Sequence, residues 1–263
     1  MKAMILAAGL GTRLRPLTDT RPKALVELSS RTLLEITLSR LRTFGVSEVI
    51  INVHHFADQV TDYLKSHKNF GMRIEISRED VLLDTGGGLK KAARFFLEDP
   101  TRLDEPFLLH NVDVISNIDF HAMLQFHTEN HALATLAVQS RETSRPLLFD
   151  DHLHLRGRRI DNKNTVISSE ARNLSSSPSR NARAINSTSV PLNALAFSGI
   201  HIISPHLLPM LTEEGIFSII PSYLRLAAQG QKILAFRADN YYWRDLGRPA
   251  DLAQAALDLQ QNP

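Results

Sequence analysis

The chain has 263 residues, 43% of them apolar and 22% charged, enough to bury a sizeable core and unlike a disordered or fibrous composition. It contains no cysteine, which excludes a disulfide framework, a thiolate metal site and a cysteine nucleophile. The net charge of +2 is too weak a basic balance to imply nucleic acid, no run approaches the ~18 apolar residues of a membrane span, and the N-terminus reads as a core strand, so a soluble cytoplasmic protein is expected.

The first element, Met4 to Ala8, is a continuous apolar run that reads as a buried strand closing on Gly9. Gly9, Gly11, Thr12, Arg13, Arg15, Arg21 and Lys23 follow. Small residues let backbone N–H groups approach an anion and the cations neutralise it, so this loop is expected to hold a triphosphate; an ordinary turn with a basic rim is the alternative. Leu34, Leu38 and Leu41 then give one helical face ended by Gly45. Glu48 to Val53 is a second buried strand, Phe56, Val60 and Leu64 a second helical stripe, and Met72 to Ser77 a strand with one wetter face. Strands alternating with helices predict a largely parallel sheet covered on both sides.

The triplet Gly86 to Gly88 precedes a helical face at Leu89, Ala92, Ala93 and Phe96, so it sits at a helix N-terminus, where close approach of a ligand is expected. Pro106 to Ile118 is an apolar strand interrupted by Asn111 and Asp113, which strand alternation places on one side. A carboxylate at such a strand end suits a divalent cation; a turn or helix-cap role is the alternative, better suited to Asn117 and Asp119. Ala132 to Gln139 is a strand and Leu147 to Leu155 a hairpin around Asp150-Asp151. From Arg156 to Val190 the periodicity disappears. Residues 168–189 hold eight serines and three arginines against one glutamate, a net +2 equal to that of the whole chain, so the rest is formally neutral and the segment reads as a mobile insertion at 156–190 within a single domain over 1–263. A strand at Ala194 to Ile203 carries Gly199, helical faces follow at Ile220 to Ala227 and Leu252 to Leu259, and Lys232 to Phe236 is a strand. Asp245, in Y-Y-W-R-D-L-G-R-P, is either a second metal carboxylate or a turn acid.

Familiar signatures fail. The third glycine of G-x-G-x-x-G falls at Leu14, no G-x-x-x-x-G-K-[ST] exists, His54-His55 lack zinc spacing, and Ser198-Gly199 is no nucleophile elbow. In the order A-A-G-L-G-T-R-L-R-P-L-T with R-P-K at Lys23, D-T-G-G-G at Asp84, N-V-D at Asn111, F-S-G-I at Phe197 and W-R-D-L-G-R-P at Trp243, the chain resembles the sugar-1-phosphate nucleotidylyltransferase family, also called NDP-sugar pyrophosphorylases. It looks most like the short members, having no hexapeptide repeat for an appended β-helix.

The resemblance implies a three-layer α/β/α, Rossmann-like nucleotidyltransferase fold with a central, mostly parallel sheet. It also implies a reaction in which a sugar 1-phosphate attacks the α-phosphate of a nucleoside triphosphate and pyrophosphate leaves. Ala8, Gly9, Gly11 and Thr12 would supply loop contacts, Arg13 would hold the leaving phosphates, and Lys23 would lie against the α-phosphate. Asp113 and Asp245 would bind Mg²⁺, Gly86 and Gly87 approach the base, Asn111 the ribose or sugar, and Gly199 the sugar. A monomer or homodimer is implied. Two departures accompany it: Val112 replaces the usual glycine of N-G-D, and the Ser/Arg-rich insertion occupies the region where family members often carry a Glu-Lys pair, so that neither Glu170 nor Lys163 is assigned that role. Nucleotidyl transfer to a phospho-amino-alcohol such as phosphocholine, or a non-catalytic nucleotide-sugar sensor, stays open.

Overall fold

The computed structural model describes residues 1–161, 164–167 and 191–261. Its first half contains β1 (Lys2–Leu6), a two-residue hairpin of β2 (Glu27–Leu28) and β3 (Arg31–Thr32), α1 (Leu33–Thr43), β4 (Glu48–Val53), α2 (Ala57–Ser66), β5 (Arg73–Arg78), α3 (Asp84–Leu97), β6 (Phe107–Asn111), β7 (Val114–Ser116), α4 (Phe120–Glu129) and β8 (Ala134–Gln139). The second half contains β9 (Leu147–Phe149), β10 (Leu155–Asp161), β11 (Asn164–Ile167), β12 (Asn193–Ile203), α5 (Ile219–Ala228), β13 (Ile233–Arg237), β14 (Trp243–Asp245) and α6 (Pro249–Gln261).

The centre of the ten-stranded sheet is the parallel run β5-β4-β1-β6, with Ile5 opposite Ile51 and His110. β12 pairs antiparallel to β6 and carries the sheet outward in two directions, to the parallel pair β8-β13 and to the meander β9-β10-β11. Alternation in β1 divides the core. Ala3 and Ile5 join Leu34, Leu38, Leu41, Val60 and Leu64 of α1 and α2 in one layer. Met4 turns to the other layer with Leu89, Phe95 and Phe96 of α3 and Tyr223 and Leu226 of α5. Each such fully buried leucine or isoleucine contributes roughly 1.5–3 kcal/mol by area removed from water, so the periodic positions set the packing of the three layers.

The helix signals hold at residue level. Thr32 accepts the Glu35 N–H at 3.0 Å to start α1, and Gly45, at φ 89°, ends it. Asp119 caps α4 by accepting from the N–H groups of His121 and Ala122, and Asn117 Oδ1 accepts the Tyr242 N–H at 2.7 Å. Asp150 organises the expected hairpin, its Oδ1 taking the N–H groups of His152 and His154. β5 is the sheet's edge, and its Arg73 bridges Glu48, Glu75 and Glu98, a charged rim that discourages further pairing.

One boundary is corrected. The expected insertion begins at Arg156, yet β10 runs to Asp161 and pairs with both β9 and β11. R-G-R-R-I-D has no alternation to reveal it, because the strand is held by its backbone ladder. Apart from 164–167, the expected mobile insertion from 162 to 190 lies outside the described residues.

A third, smaller core joins distant parts of the chain. Leu14, Val26 and Leu28 from the opening loop pack with Ile115, Leu246, Leu252 and Ala255, so α6 and β14 are clamped onto the N-terminal loop. No helix among the described residues is long and apolar enough to cross a membrane.

Candidate functional site

The crevice lies beyond the carboxyl ends of β1, β4 and β6, where an open α/β sheet leaves its strand-end loops free to hold a ligand. β1 ends at Leu6, two residues before the expected Ala8, and the Ala7 N–H donates to Asn52 Oδ1 at 2.7 Å. At Gly11 the chain takes φ +67°, and a Cβ there would lie 2.8 Å from Thr18 Cγ2 and 3.2 Å from Lys23 Cβ. The Gly11 carbonyl accepts from Leu14 N–H and Thr18 Oγ1, each at 2.8 Å. The loop closes on itself here. Gly11 and Thr12 shape it, whereas Ala8 and Gly9 line a cavity of about 360 Å³.

Asn111 and Asp113 reach the same cavity by a route other than strand alternation. β6 stops at Asn111, the Val112 N–H donates to the Leu6 carbonyl at 3.1 Å, and Asp113 sits in the turn before β7. Val112 points into the core at 4% exposure, so a β-branched residue is accommodated. β14 pairs antiparallel with β7, placing Asp245 opposite Val114, and the Leu246 N–H donates to the Asp113 carbonyl at 2.7 Å. This ladder brings Asp245 beside Asp113 across 132 residues of sequence. Asp245 also fulfils the turn role, its Oδ1 accepting the Gly247 N–H at 2.7 Å. Burial, then the neighbouring Asp113 carboxylate, pushes the Asp245 carboxyl up, while Lys23, the Gly247 N–H and Arg13 pull the other way.

Lys23, 8% exposed, forms an ion pair with Asp113 Oδ2. Arg13 Nη2 lies 4.0 Å from Asp245 Oδ1. Gly247 permits that approach, because a Cβ there would fall 2.5 Å from both Arg13 Nη2 and Asp245 Oδ1. Two cations therefore face two carboxylates at one end of the β7–β14 ladder. Among the described residues no group of three or more His, Asp or Glu side chains is placed to hold a metal ion.

A second cavity of about 990 Å³ adjoins the first and is lined by Arg13, Asn111, Gly199, Trp243 and Asp245 among others. Asn111 lies on the wall of both. Gly199 is held at φ +74° with the Asn111 amide so close that a Cβ would meet its Nδ2 at 2.8 Å.

The glycine triplet is corrected in role. Gly86 and Gly87 line neither cavity, and both N–H groups donate to the Phe217 carbonyl at 2.9 and 3.1 Å. A Cβ on Gly86 would lie 2.4 Å from the Phe217 ring, and one on Gly87 would lie 2.5 Å from the Gly215 carbonyl. What approaches closely is the 215–217 segment of the protein itself. Asp84, Thr85 and Ile216 form the cavity wall there instead.

Two wall residues, Asn52 and Glu79, are not among the expected site residues. Asn52, the one polar residue in the run V-I-I-N-V of β4, donates from Nδ2 to Glu79 Oε1 at 2.8 Å, and Glu79 Oε2 accepts the Leu83 N–H at 2.9 Å. A lone amide in a buried strand was the available clue for Asn52. Glu79 is fixed by tertiary contacts alone.

An α/β sheet with a parallel centre, and with a glycine turn, two cations and two aspartates at the carboxyl edge of that centre, has the chemistry that suits a phosphate-bearing ligand. The family model "Nucleotidyl transferase" matches residues 2–147, more than half of the chain, and the chain belongs to that family. Similar proteins include the N-acetylmuramate alpha-1-phosphate uridylyltransferase of Caulobacter vibrioides, 50% identical over 101 residues (37% of this chain and 42% of that protein). The UTP--glucose-1-phosphate uridylyltransferase of Synechocystis sp. is 34% identical over 149 residues (53% and 37%), and the mannose-1-phosphate guanyltransferase beta-B of Xenopus laevis 31% over 258 residues (95% and 62%). The chain thus spans less than two thirds of the length of these relatives. Among solved structures, HddC from Yersinia pseudotuberculosis complexed with GMP-PN superposes with a TM-score of 0.71 at 19% identity, covering 98% of this chain and 99% of that one. A UDP-glucose pyrophosphorylase complexed with UDP-glucose gives 0.72 at 18% identity, covering 100% and 99%. These two likenesses establish the fold.

Proposed function

We propose that this protein transfers a nucleoside monophosphate from a nucleoside triphosphate to a sugar 1-phosphate, releasing pyrophosphate and forming an NDP-sugar. The observation that carries the reading is the meeting of two cavities at Asn111, with Asp113 facing one and Asp245 the other. Two substrates joined at phosphorus need that arrangement. The smaller cavity, walled by Ala8, Gly9, Asn52 and Glu79, takes the nucleoside, and the larger one takes the sugar phosphate.

A phosphate oxygen of the acceptor forms the new bond to the α-phosphorus; the bond to the α,β-bridging oxygen breaks, and pyrophosphate departs with that electron pair. Lys23 neutralises the α-phosphate from the Asp113 side, and Arg13, more than half exposed beside Asp245, takes the departing phosphates. Such a step needs alignment and charge neutralisation more than covalent participation by the protein. Asp113 and Asp245 are hard oxygen donors lying close enough that one raises the other's carboxyl, and the pair fits Mg²⁺ completed by phosphate oxygens. Bound there, the ion would offset negative charge on the reacting phosphates. Relatives named as sugar-1-phosphate uridylyl- and guanyltransferases support the same chemistry.

The test is to incubate the protein with each nucleoside triphosphate, Mg²⁺ and a panel of sugar 1-phosphates, and to measure pyrophosphate. Release with at least one combination, abolished by a chelator, is expected. No release above blank with any combination overturns the reading.

A further inference from the structure

The 990 Å³ cavity contains a cation that neither the loop motif nor the aspartate pair accounts for. Its wall carries five arginines against three carboxylates. Arg13 lies against Asp245, and Arg244 is taken by Asp258 at 2.8 Å. Arg141 differs: it is half-buried, and among the described residues it forms no salt bridge. Its guanidinium lies 3.8 Å from the centre of the Trp243 ring, and its Nη2 donates to the Phe197 carbonyl at 2.7 Å. Trp243 is itself pinned, its Nε1 donating to the next carbonyl, Ser198, at 2.6 Å. The stack is thus bolted to two successive carbonyls of β12, immediately before Gly199. The buried Nε of Arg141 has no hydrogen-bond partner.

A half-buried guanidinium with a buried, unpartnered N–H is costly unless an anion arrives to use it. The cation–π stack and the single carbonyl bond fix its plane without neutralising it, so the remaining N–H groups form a preorganised fork suited to a phosphate. Burial lowers the Arg141 pKa from its ordinary value and Asp245 is the nearby charge that offsets this; at such a basic group the cation persists at neutral pH.

We propose that Arg141, held on Trp243, grips the phosphate of the acceptor sugar 1-phosphate, as distinct from the departing pyrophosphate. The assignment rests on the proposed transferase reading and adds a binding residue to it. Arg141 follows β8, and its guanidinium, held to the Phe197 carbonyl of β12 two residues before Gly199, favours the acceptor, whereas Arg13 stands on the opening loop beside Asp245.

Trp243 is the single tryptophan of the chain, so its emission reports on this stack directly. The wild-type protein, Arg141→Gln and Arg141→Lys are titrated with inorganic phosphate, with the 1-phosphates of glucose, mannose and N-acetylglucosamine, and with the unphosphorylated sugars, while Trp243 emission is followed. A saturable change with a phosphorylated probe, absent with the free sugars, lost in Arg141→Gln and weakened about tenfold in Arg141→Lys, is expected. In steady state, Arg141→Gln should raise the KM for the sugar 1-phosphate at least tenfold, with the KM for the triphosphate, and for pyrophosphate in the reverse reaction, within twofold of wild type. Emission unmoved by every phosphorylated probe, a response that survives in Arg141→Gln, or a KM change that falls on pyrophosphate overturns the assignment. A phosphate-dependent emission change in a protein that releases no pyrophosphate counts against the reaction and leaves the Arg141 site standing.

Discussion

Asp113 holds the position on which the site's chemistry depends most: its side chain pairs with Lys23, its carbonyl accepts the Leu246 N–H, and its charge acts on the Asp245 carboxyl. Asp113→Asn separates these functions. The amide keeps the shape, leaves the backbone bond intact and still offers Lys23 an oxygen, so the stability cost stays near ~1–2 kcal/mol. The charge needed for a divalent cation is gone. Metal-dependent pyrophosphate release should fall by at least ~100-fold, the size expected when a preorganised charge at the reacting phosphate is removed, while the melting temperature drops by only a few degrees. Steady-state assay alongside thermal denaturation checks this, and unchanged turnover would mean that Asp113 holds no catalytic ion. At this scale the sequence was most readable where chemistry and chain neighbourhood coincide: Ala8, Gly9, Arg13 and Lys23 lie within one loop, and Asp113 sits two residues beyond Asn111. Arg141 and Trp243 are 102 residues apart, and nothing in spacing could pair them.

Among elements, the segment 215–217 and the start of α3 form a unit. Phe217 offers one carbonyl to two glycine N–H groups, its own N–H donates to the Leu83 carbonyl at 3.1 Å, and Ile216 is left on the wall of the smaller cavity. Glycine is required by protein packing: a Cβ at Gly86 meets ring carbons of Phe217 at 2.4 Å and its carbonyl oxygen at 2.9 Å. Backbone cannot yield as a flexible side chain does, so Gly86→Ala should cost about 1–3 kcal/mol as overpacking and shift the Ile216 wall. A lower melting temperature together with a several-fold higher KM for the triphosphate is the expected pair of readings. A variant with wild-type KM would show that this segment does not shape the cavity. The triplet illustrates what an unaligned sequence can reveal: three adjacent glycines announce a close approach, and only the folded chain says what approaches. Helices α1, α3, α5 and α6 were legible because each buries a periodic face, whereas β10 beyond Arg156 was not, since its partners lie on other strands.

Taken whole, the molecule's sheet hides ionisable groups that the site does not use. His110 and His201 sit on the adjoining strands β6 and β12 at 2% and 1% exposure, and His127 of α4 is 2% exposed. His110 donates from Nδ1 to the Asn111 carbonyl, His201 meets the Tyr223 hydroxyl at 2.9 Å, and His127 meets Thr135 Oγ1 at 2.9 Å. Desolvation by burial is the main cause that lowers their pKa values, to about 4 for His110 and His127 and about 3 for His201. Arg40 further lowers His110 while Asp113 opposes it, and His110 further lowers His201. The folded pKa is depressed in each case, so above the unfolded value of about 6.5 both states are neutral and stability is fully present. As pH falls below 6.5 the unfolded chain binds protons that the folded chain refuses, and stability is lost progressively toward pH 4. With three such groups the slope reaches at most about 4 kcal/mol per pH unit. Carboxylates held low in the folded state, such as Glu98 at about 2 beneath Arg73 and Lys2, begin to contribute only below pH ~4.5, so the decline from 6.5 to 5 is set chiefly by the histidines, with His154, whose pKa burial also lowers, adding to the three buried ones. Urea unfolding midpoints measured from pH 7.5 to 5 should therefore fall steadily, and His127→Gln, remote from both cavities, should flatten the decline measurably. A midpoint that stays level across this interval, or a slope identical in the variant, would show that the buried histidines do not set the protein's acid limit.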